Sequence, residues 1–153
     1  MIEYEYSFRV DSIDNIIDYC ISNGYKLLES NYQERKLYTN SNRVLARITK
    51  NVINSKESIV LDFKDENNSD FIYKESRESI PLKVGKNIKS INSILEILDY
   101  KLSKVLERHR TVYAKDGIKF EIDSYTSPEI AFVVAIEGNK SLVESIYKEV
   151  SEL

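Results

Sequence analysis

The stretch Glu3-Tyr4-Glu5-Tyr6-Ser7-Phe8-Arg9-Val10 alternates without a break between ionic or hydroxyl side chains and large apolar ones. Strand side chains point to opposite faces with period two, so Glu3, Glu5, Ser7 and Arg9 share one face, while Ile2, Tyr4, Tyr6, Phe8 and Val10 share the other. The pattern specifies a strand that is wet on one side and greasy on the other. Two kinds of sheet satisfy it. One is an open antiparallel sheet with a solvated face; the other is a closed barrel whose polar face lines a cavity suited to a metal-bound anion.

The rest of the chain supplies what packs on the greasy face. Asp11-Ser12 offers an N-cap ahead of Ile13, Ile16, Ile17, Cys20 and Ile21 at helical spacing, and Gly24 supplies the stop. A second amphipathic helix is expected from Asn87 to about Tyr100 on Ile91, Ile94, Leu95 and Leu98. A third follows Gly138 on Leu142, Val143, Ile146, Tyr147 and Val150. Between the helices the sequence reads as extended. Tyr25 to Tyr38 is mixed, and Arg43 to Ile53 and Glu57 to Lys64 are strands joined by a polar turn at Asn54 and Ser55. Asp65 to Asp70 is a loop by composition, Phe71 to Leu82 a strand with Pro81 at its end. Lys104 to Ala114 and Ile118 to Asp123 form a hairpin about Asp116-Gly117, and Ile130 to Glu137 is the last strand. The sum is a single α+β domain over residues 1–153, dominated by about eight strands with three helices.

Charge and composition narrow the function. Hydrophobic residues at 42% and charged residues at 31% fit one globular domain and exclude a disordered or fibrous chain. A net charge of -3 argues against a surface given over to nucleic acid and leaves room only for a local basic pocket. No apolar run reaches the roughly 20 residues that span a bilayer, and the N-terminus reads as a strand with no signal-peptide pattern, so a cytoplasmic protein is expected. Cys20, the single cysteine, lies on an apolar helical stripe and reads as core. His109 faces away from Arg108 and Arg110 and reads as a packed or surface residue.

The ionic residues segregate by type. Acids occupy the first strand, Arg108 and Arg110 share a face, Asp62 and Lys64 share another, and Lys119, Glu121 and Asp123 lie opposite Ile118, Phe120 and Ile122. A barrel closed around these faces encloses carboxylates on one wall and cations on another. Carboxylates hold hard divalent cations, and arginine and lysine neutralise phosphoryl oxygens, so the two walls together suit a metal-bound polyphosphate.

In this arrangement the chain resembles the CYTH superfamily, the triphosphate tunnel metalloenzymes, which includes class IV adenylate cyclases, thiamine triphosphatases and inorganic triphosphatases. Glu3-Tyr4-Glu5-Tyr6-Ser7 matches both acids of that family's opening Glu-x-Glu-x-Lys strand. Tyr32 to Tyr38, Leu45-Ala46-Arg47-Ile48-Thr49 and Leu61-Asp62-Phe63-Lys64 resemble its next elements. Glu107 to Tyr113 is similar to its Lys-x-Arg-x-x-Tyr strand, Phe120-Glu121-Ile122-Asp123 to its acidic strand, and Phe132 to Gly138 to its closing Glu-x-Glu. The resemblance implies an eight-stranded antiparallel β-barrel, open at both ends, with helices packed outside. It implies Mg2+ or Mn2+ held by Glu3, Glu5, Glu137 and Asp123, and phosphates clamped by Arg47, Lys64, Arg108 and Arg110 with Arg77. It further implies metal-assisted attack on a phosphoryl group.

The chain departs from the family at three places. Ser7 stands for a lysine, Thr49 for a second arginine and Ala135 for a further glutamate, while Arg9, on the face of Ser7, is a candidate replacement cation. The leading expectation is a metal-dependent hydrolase or cyclase acting on a triphosphate-bearing small molecule or nucleotide, with no membrane or duplex nucleic acid as partner and a homodimer left open. A degenerate tunnel that binds such a ligand without turnover, an RNA 5'-triphosphatase, and an α+β interaction module with solvated strand faces are the alternatives.

Overall fold

The computed structural model describes residues 2–68 and 73–153. Its elements are β1 (Ile2–Val10), α1 (Asp14–Ser22), β2 (Lys26–Thr39), β3 (Val44–Ile53), β4 (Lys56–Asn68), β5 (Tyr73–Glu78), β6 (Leu82–Lys83), α2 (Ile88–Ile97), β7 (Lys101–Lys115), β8 (Ile118–Ser127), β9 (Ala131–Gly138) and α3 (Lys140–Val150). Hydrogen-bonded neighbours run β3-β2-β7-β8-β9-β1-β5-β4, and β4 pairs back onto β3. The sheet therefore closes on itself as an eight-stranded antiparallel barrel, with the two-residue β6 added along β4. Closure removes the unpaired edges that an open sheet leaves to solvent.

Tight turns fix the register. Asn54 and Ser55 between β3 and β4, and Asp116 and Gly117 between β7 and β8, all take positive φ, which matches the right-handed twist of the strands they join. Gly138 ends β9 under a different constraint. A Cβ there would lie 2.7 Å from the Gly117 carbonyl oxygen, so only glycine lets β9 finish against the β7–β8 turn.

The apolar core lies outside the barrel wall. Ile16 and Cys20 of α1 and Val143 and Val150 of α3 pack with Phe120, Ile122, Val134 and Ile136 from the outer faces of β8 and β9. Tyr6 stacks on Tyr147 with ring centroids 4.6 Å apart, and Phe8 meets the same ring edge-on at 5.4 Å, so the greasy side of β1 is the seat of α3. A second cluster seats Ile91 and Leu95 of α2 on Ala46, Ile48 and Leu61 of β3 and β4. Burial at Cys20 pushes its thiol up to about 12, which keeps it an inert core residue. His109 points out of the barrel, beside the Ser30 hydroxyl at 3.3 Å. No described helix is long and apolar enough to cross a membrane.

Two expectations are corrected. The composition of Asp65 to Asp70 reads as a loop, yet β4 continues to Asn68 because its polar residues are paired across both faces: Asp65 bonds Arg77 outside, and Glu66 meets Lys64 and Lys74 inside. The expected strand from Phe71 to Leu82 is broken into β5 and β6, with 79–81 between them. Positions 69–72 of these two segments lie outside the described residues.

Candidate functional site

The register places the ionic residues in the bore. Glu5 pairs directly with Glu137 across β1 and β9, Glu121 with Ala135 across β8 and β9, Arg110 with Asp123 across β7 and β8, and Arg47 with Asp62 across β3 and β4. Direct cross-strand partners point to the same face, so each pairing carries the inward face to the next strand. The result is a cavity of about 280 Å³ lined by seven carboxylates and seven cations.

Carboxylates gather at one end. Single oxygens from Glu5, Glu121 and Glu137 all lie within 4.8 Å of one another, and Glu3 is on the same wall. Burial, then the neighbouring Glu121 carboxylate, raises Glu137 well above the usual carboxylate range. Glu121, although buried, is held below that range chiefly by the Arg110 guanidinium. Glu3 is raised by burial and then by Glu78. Acids crowded until one must keep its proton form the donor set that a hard divalent cation fits: several oxygen ligands, and a charge for the ion to neutralise.

Cations line the middle. Arg110 donates from Nε to Asp123 Oδ1 at 2.8 Å, from Nη2 to Asp123 Oδ2 at 2.9 Å, and from Nη1 to Glu121 Oε2 at 2.7 Å. Arg47 donates to Asp62 at 2.9 Å and lies 3.2 Å from Glu78; Lys64 lies 3.1 Å from Glu66. Arg108 is different. Its Nε donates to Gln33 and its Nη1 to the Tyr125 hydroxyl, both at 2.8 Å, while its Nη2 is buried with no partner. Arg35 is more isolated still: it donates to the Thr49 hydroxyl at 2.9 Å and makes no ion pair with any described residue. Burial, followed by repulsion from Arg108, Arg47 and Arg110, holds its guanidinium down to about 9. An unmatched guanidinium beside an orphaned Nη2 marks where an anion belongs.

Of the residues expected from sequence, Glu3, Glu5, Asp123, Glu137, Arg47, Lys64, Arg108 and Arg110 all line this cavity. Asp123 serves as the counter-ion of Arg110 and does not join the three-carboxylate cluster. Arg77 is not brought into the bore. It shares the outward face with Ile2 and Asp65, and bonds Asp65 at 2.7 Å with its side chain 68% exposed. Arg9 reaches only the rim, paired with Glu129 at 2.9 Å, and does not replace a cation at Ser7.

Glu121, read from sequence as lying on a polar strand face but not among the metal ligands, and Arg35, inside the Tyr32 to Tyr38 segment, join the site. Each faces one of the departures across the ladder. Glu121 stands directly across from Ala135 and supplies a carboxylate there; Arg35 stands directly across from Thr49 and supplies a guanidinium. Ser7 and Ala135 are themselves cross-strand partners, so the absent lysine and the absent glutamate are lost as a facing pair.

Arg35 yields a test with effects of opposite sign. Replacing a half-buried cation that makes no ion pair among the described residues by an apolar side chain of similar length removes its desolvation and its repulsion. Arg35→Met is expected to stabilise the ligand-free protein by about 1–2 kcal/mol in urea denaturation. The same variant is expected to weaken triphosphate binding about tenfold or more in calorimetry.

No protein-family model and no curated protein matches the sequence. Solved structures do match the fold. PH1012 from Pyrococcus horikoshii OT3 superposes with a TM-score of 0.73 at 19% identity, over 98% of this chain and 88% of that one. HpAC1 from Hippeastrum, a candidate adenylyl cyclase described as having a dominant triphosphatase activity, superposes at 0.67 and 16% identity, over 96% and 87%. A chain of the Schizosaccharomyces pombe Mediator head module superposes at 0.71 and 9% identity, over 100% and 96%. The chain thus shares with these structures a closed antiparallel barrel fold, the architecture that the resemblance to the CYTH superfamily implies.

Proposed function

We propose that this chain is a divergent CYTH-type enzyme that binds a triphosphate with a divalent cation inside its barrel and catalyses attack on a phosphoryl group. The observation that carries this reading is the coexistence, in one bore, of a three-carboxylate cluster and a guanidinium without an ion pair, Arg35, near the partnerless Nη2 of Arg108, whose Nη1 lies 3.5 Å from Asp123. With Glu137 protonated, the bore's other six carboxylates face seven cations, so a fully ionised triphosphate alone would still leave it negative. A divalent cation offsets that charge. Glu5, Glu121 and Glu137 would hold Mg2+ or Mn2+, which when bound polarises phosphoryl oxygens as a Lewis acid. Arg35 and Arg108 would take the phosphoryl oxygens, and Arg47, Lys64 and Arg110, each braced by acids, would fix the electrostatic field around them. The HpAC1 activity and the adenylate cyclase names among the structural neighbours support the same reaction class.

Phosphate release from ATP, thiamine triphosphate and tripolyphosphate, with and without manganese, tests the proposal, with cyclic product assayed in parallel. Metal-dependent turnover of any of them supports it. Tight binding with no turnover of any triphosphate would instead establish a non-catalytic tunnel. The facing pair of Ser7 and Ala135 favours that second reading.

Metal binding should also depend on pH. Glu137 shares its site with Glu121 and keeps a proton well above the usual carboxylate range, so an incoming cation must displace that proton. Manganese affinity is expected to rise with pH through the neutral range, with about one proton released per ion. Calorimetry in buffers of different ionisation enthalpy reads that proton directly. Glu137→Gln should abolish the release.

A further inference from the structure

Beside Arg108 the inward face of the barrel is built from amides. Gln33 stands directly across from Arg108 on the β2–β7 ladder and across from Asn51 on the β2–β3 ladder, and Glu29 and Asn31 precede it on the same face of β2. Asn31 and Gln33 are buried, at 3% and 4% exposure. None of these four residues lines the cavity that Arg108 lines. Their side chains form one run of hydrogen bonds. Asn31 Nδ2 donates to Glu29 Oε1 and to Asn51 Oδ1, both at 3.1 Å, and Gln33 Nε2 donates to the same Asn51 oxygen at 2.8 Å. Gln33 Oε1 then accepts from Arg108 Nε at 2.8 Å.

The direction of this run is forced from both ends. An ionised carboxylate only accepts and a guanidinium only donates, so each amide between them has a single orientation that makes every bond of the run. Turning any one of them over sets two donors or two acceptors against each other. The same constraint accounts for an orphaned atom. Asn31 Nδ2 is committed to Glu29 and Asn51, and Asn31 Oδ1 is left buried with no partner among the described residues. The orientation that serves Gln33 and Arg108 is thus kept although it leaves a buried acceptor unmet.

What Arg108 receives from this run differs from what its neighbours receive. Arg110 is oriented by Asp123 and Glu121, and Arg47 by Asp62, so the groups that fix those cations also neutralise them. Arg108 is oriented by a neutral amide oxygen on Nε and a phenol oxygen on Nη1. The Asp123 carboxylate lies 3.5 Å from Nη1 and already accepts from Arg110 on both oxygens. A guanidinium held by neutral acceptors keeps more of its charge for an anion. We infer that Gln33 is a positioning residue for anion binding: the run from Glu29 through Asn31 and Asn51 turns a neutral oxygen toward Arg108, which fixes the guanidinium without neutralising it. The inference rests on the reading of the bore as a triphosphate site, and its test separates the two.

The test reads tripolyphosphate binding with manganese by calorimetry, and the melting temperature without ligand. Gln33→Glu keeps an oxygen on Arg108 Nε but makes it a carboxylate, and is expected to weaken tripolyphosphate binding about tenfold or more. It also puts an acceptor-only group at each end of the amides, a conflict that no set of amide orientations resolves while both carboxylates are ionised. Adding Glu29→Gln supplies a donor at the far end, so the whole run can reverse. Glu29→Gln is therefore expected to raise the melting temperature of the Gln33→Glu protein by about 5 °C and to give the parent protein no such gain. Glu29→Ala, which removes the charge and offers no donor, should restore less. Binding should stay weak in the double variant Gln33→Glu, Glu29→Gln, because the run is whole again but Arg108 remains paired with a carboxylate. A purely structural role for Gln33 predicts the opposite, affinity returning together with the melting temperature. That return, or unchanged affinity in a folded Gln33→Glu protein, overturns the inference and leaves the bore intact as a triphosphate site. Failure of the parent protein to bind tripolyphosphate overturns both.

Discussion

Replacing Arg110 by alanine is expected to destabilise the protein by about 3–5 kcal/mol at neutral pH. The guanidinium makes three charge-assisted hydrogen bonds, to Glu121 and Asp123, inside a wall from which water is largely excluded. Removing one partner of a buried ion pair costs more than the pair contributes, because the carboxylates stay buried without compensation. The pH dependence follows from the sign of the Glu121 shift. Arg110 holds that carboxyl below its ordinary value, so its stabilisation is present above the unfolded-state pKa of about 4.3 and is lost as pH falls through the lower folded-state value. In Arg110→Ala the same carboxyl should lie above its unfolded-state value and penalise the fold as pH rises. Urea denaturation of both proteins should therefore show a gap that is widest near neutrality and narrows below about pH 4. A gap of under about 1 kcal/mol at neutral pH would mean that water reaches these acids freely.

The double substitution Glu5→Gln, Glu137→Gln is expected to reduce metal-dependent phosphate release by on the order of a thousandfold. The two carboxylates face each other across β1 and β9, and together they supply two of the three clustered oxygens. Stability should move the other way. Glutamine at 137 imitates the protonated acid and keeps a donor for Glu121, and both changes relieve repulsion among buried acids. The melting temperature without metal should hold or rise, and the stabilisation that manganese gives the parent protein should vanish. Retention of full turnover by a folded double variant would remove these acids from the reaction.

How much of this was legible in the sequence depended on whether a strand's two faces differ in polarity. In β1 they differ completely, and period two alone assigned Glu3 and Glu5 to one side. In β8, Lys119, Glu121 and Asp123 alternate with Ile118, Phe120 and Ile122, and the inward face was equally plain. What remained hidden was the importance of Glu121, because its nearness to Glu5 and Glu137 depends on the pairing of β8 with β9 and β1, which the hydropathy of one strand cannot carry. Arg35 was harder. Gln33-Glu34-Arg35-Lys36 is polar on both sides, so alternation gives no face, and only the register opposite Thr49 identifies it as inward. The same ambiguity explains Arg77: Lys74-Glu75-Ser76-Arg77-Glu78 is polar throughout, and the pairing that turns Ser76 and Glu78 inward turns Arg77 out. The end of β4 is hidden for a related reason, since Asp65 and Glu66, which look like loop composition, meet the cations Arg77 and Lys74 across the β4–β5 ladder.

The departures at Ser7, Thr49 and Ala135 also look different once the barrel is closed. Glu121 and Arg35 stand directly across from Ala135 and Thr49, so a carboxylate and a guanidinium face those two positions from the strand alongside. The described partner facing Ser7 is Ala135, and Arg9 is engaged with Glu129 at the rim.

A crystal structure of the protein grown with manganese and a triphosphate tests the central claim most directly, because manganese reveals itself by anomalous scattering. The account predicts one ion against Glu5, Glu121 and Glu137, with phosphoryl oxygens on Arg35 and Arg108 Nη2. Manganese and triphosphate bound only to outer surfaces, with the bore holding water and its arginines undisturbed, would contradict it.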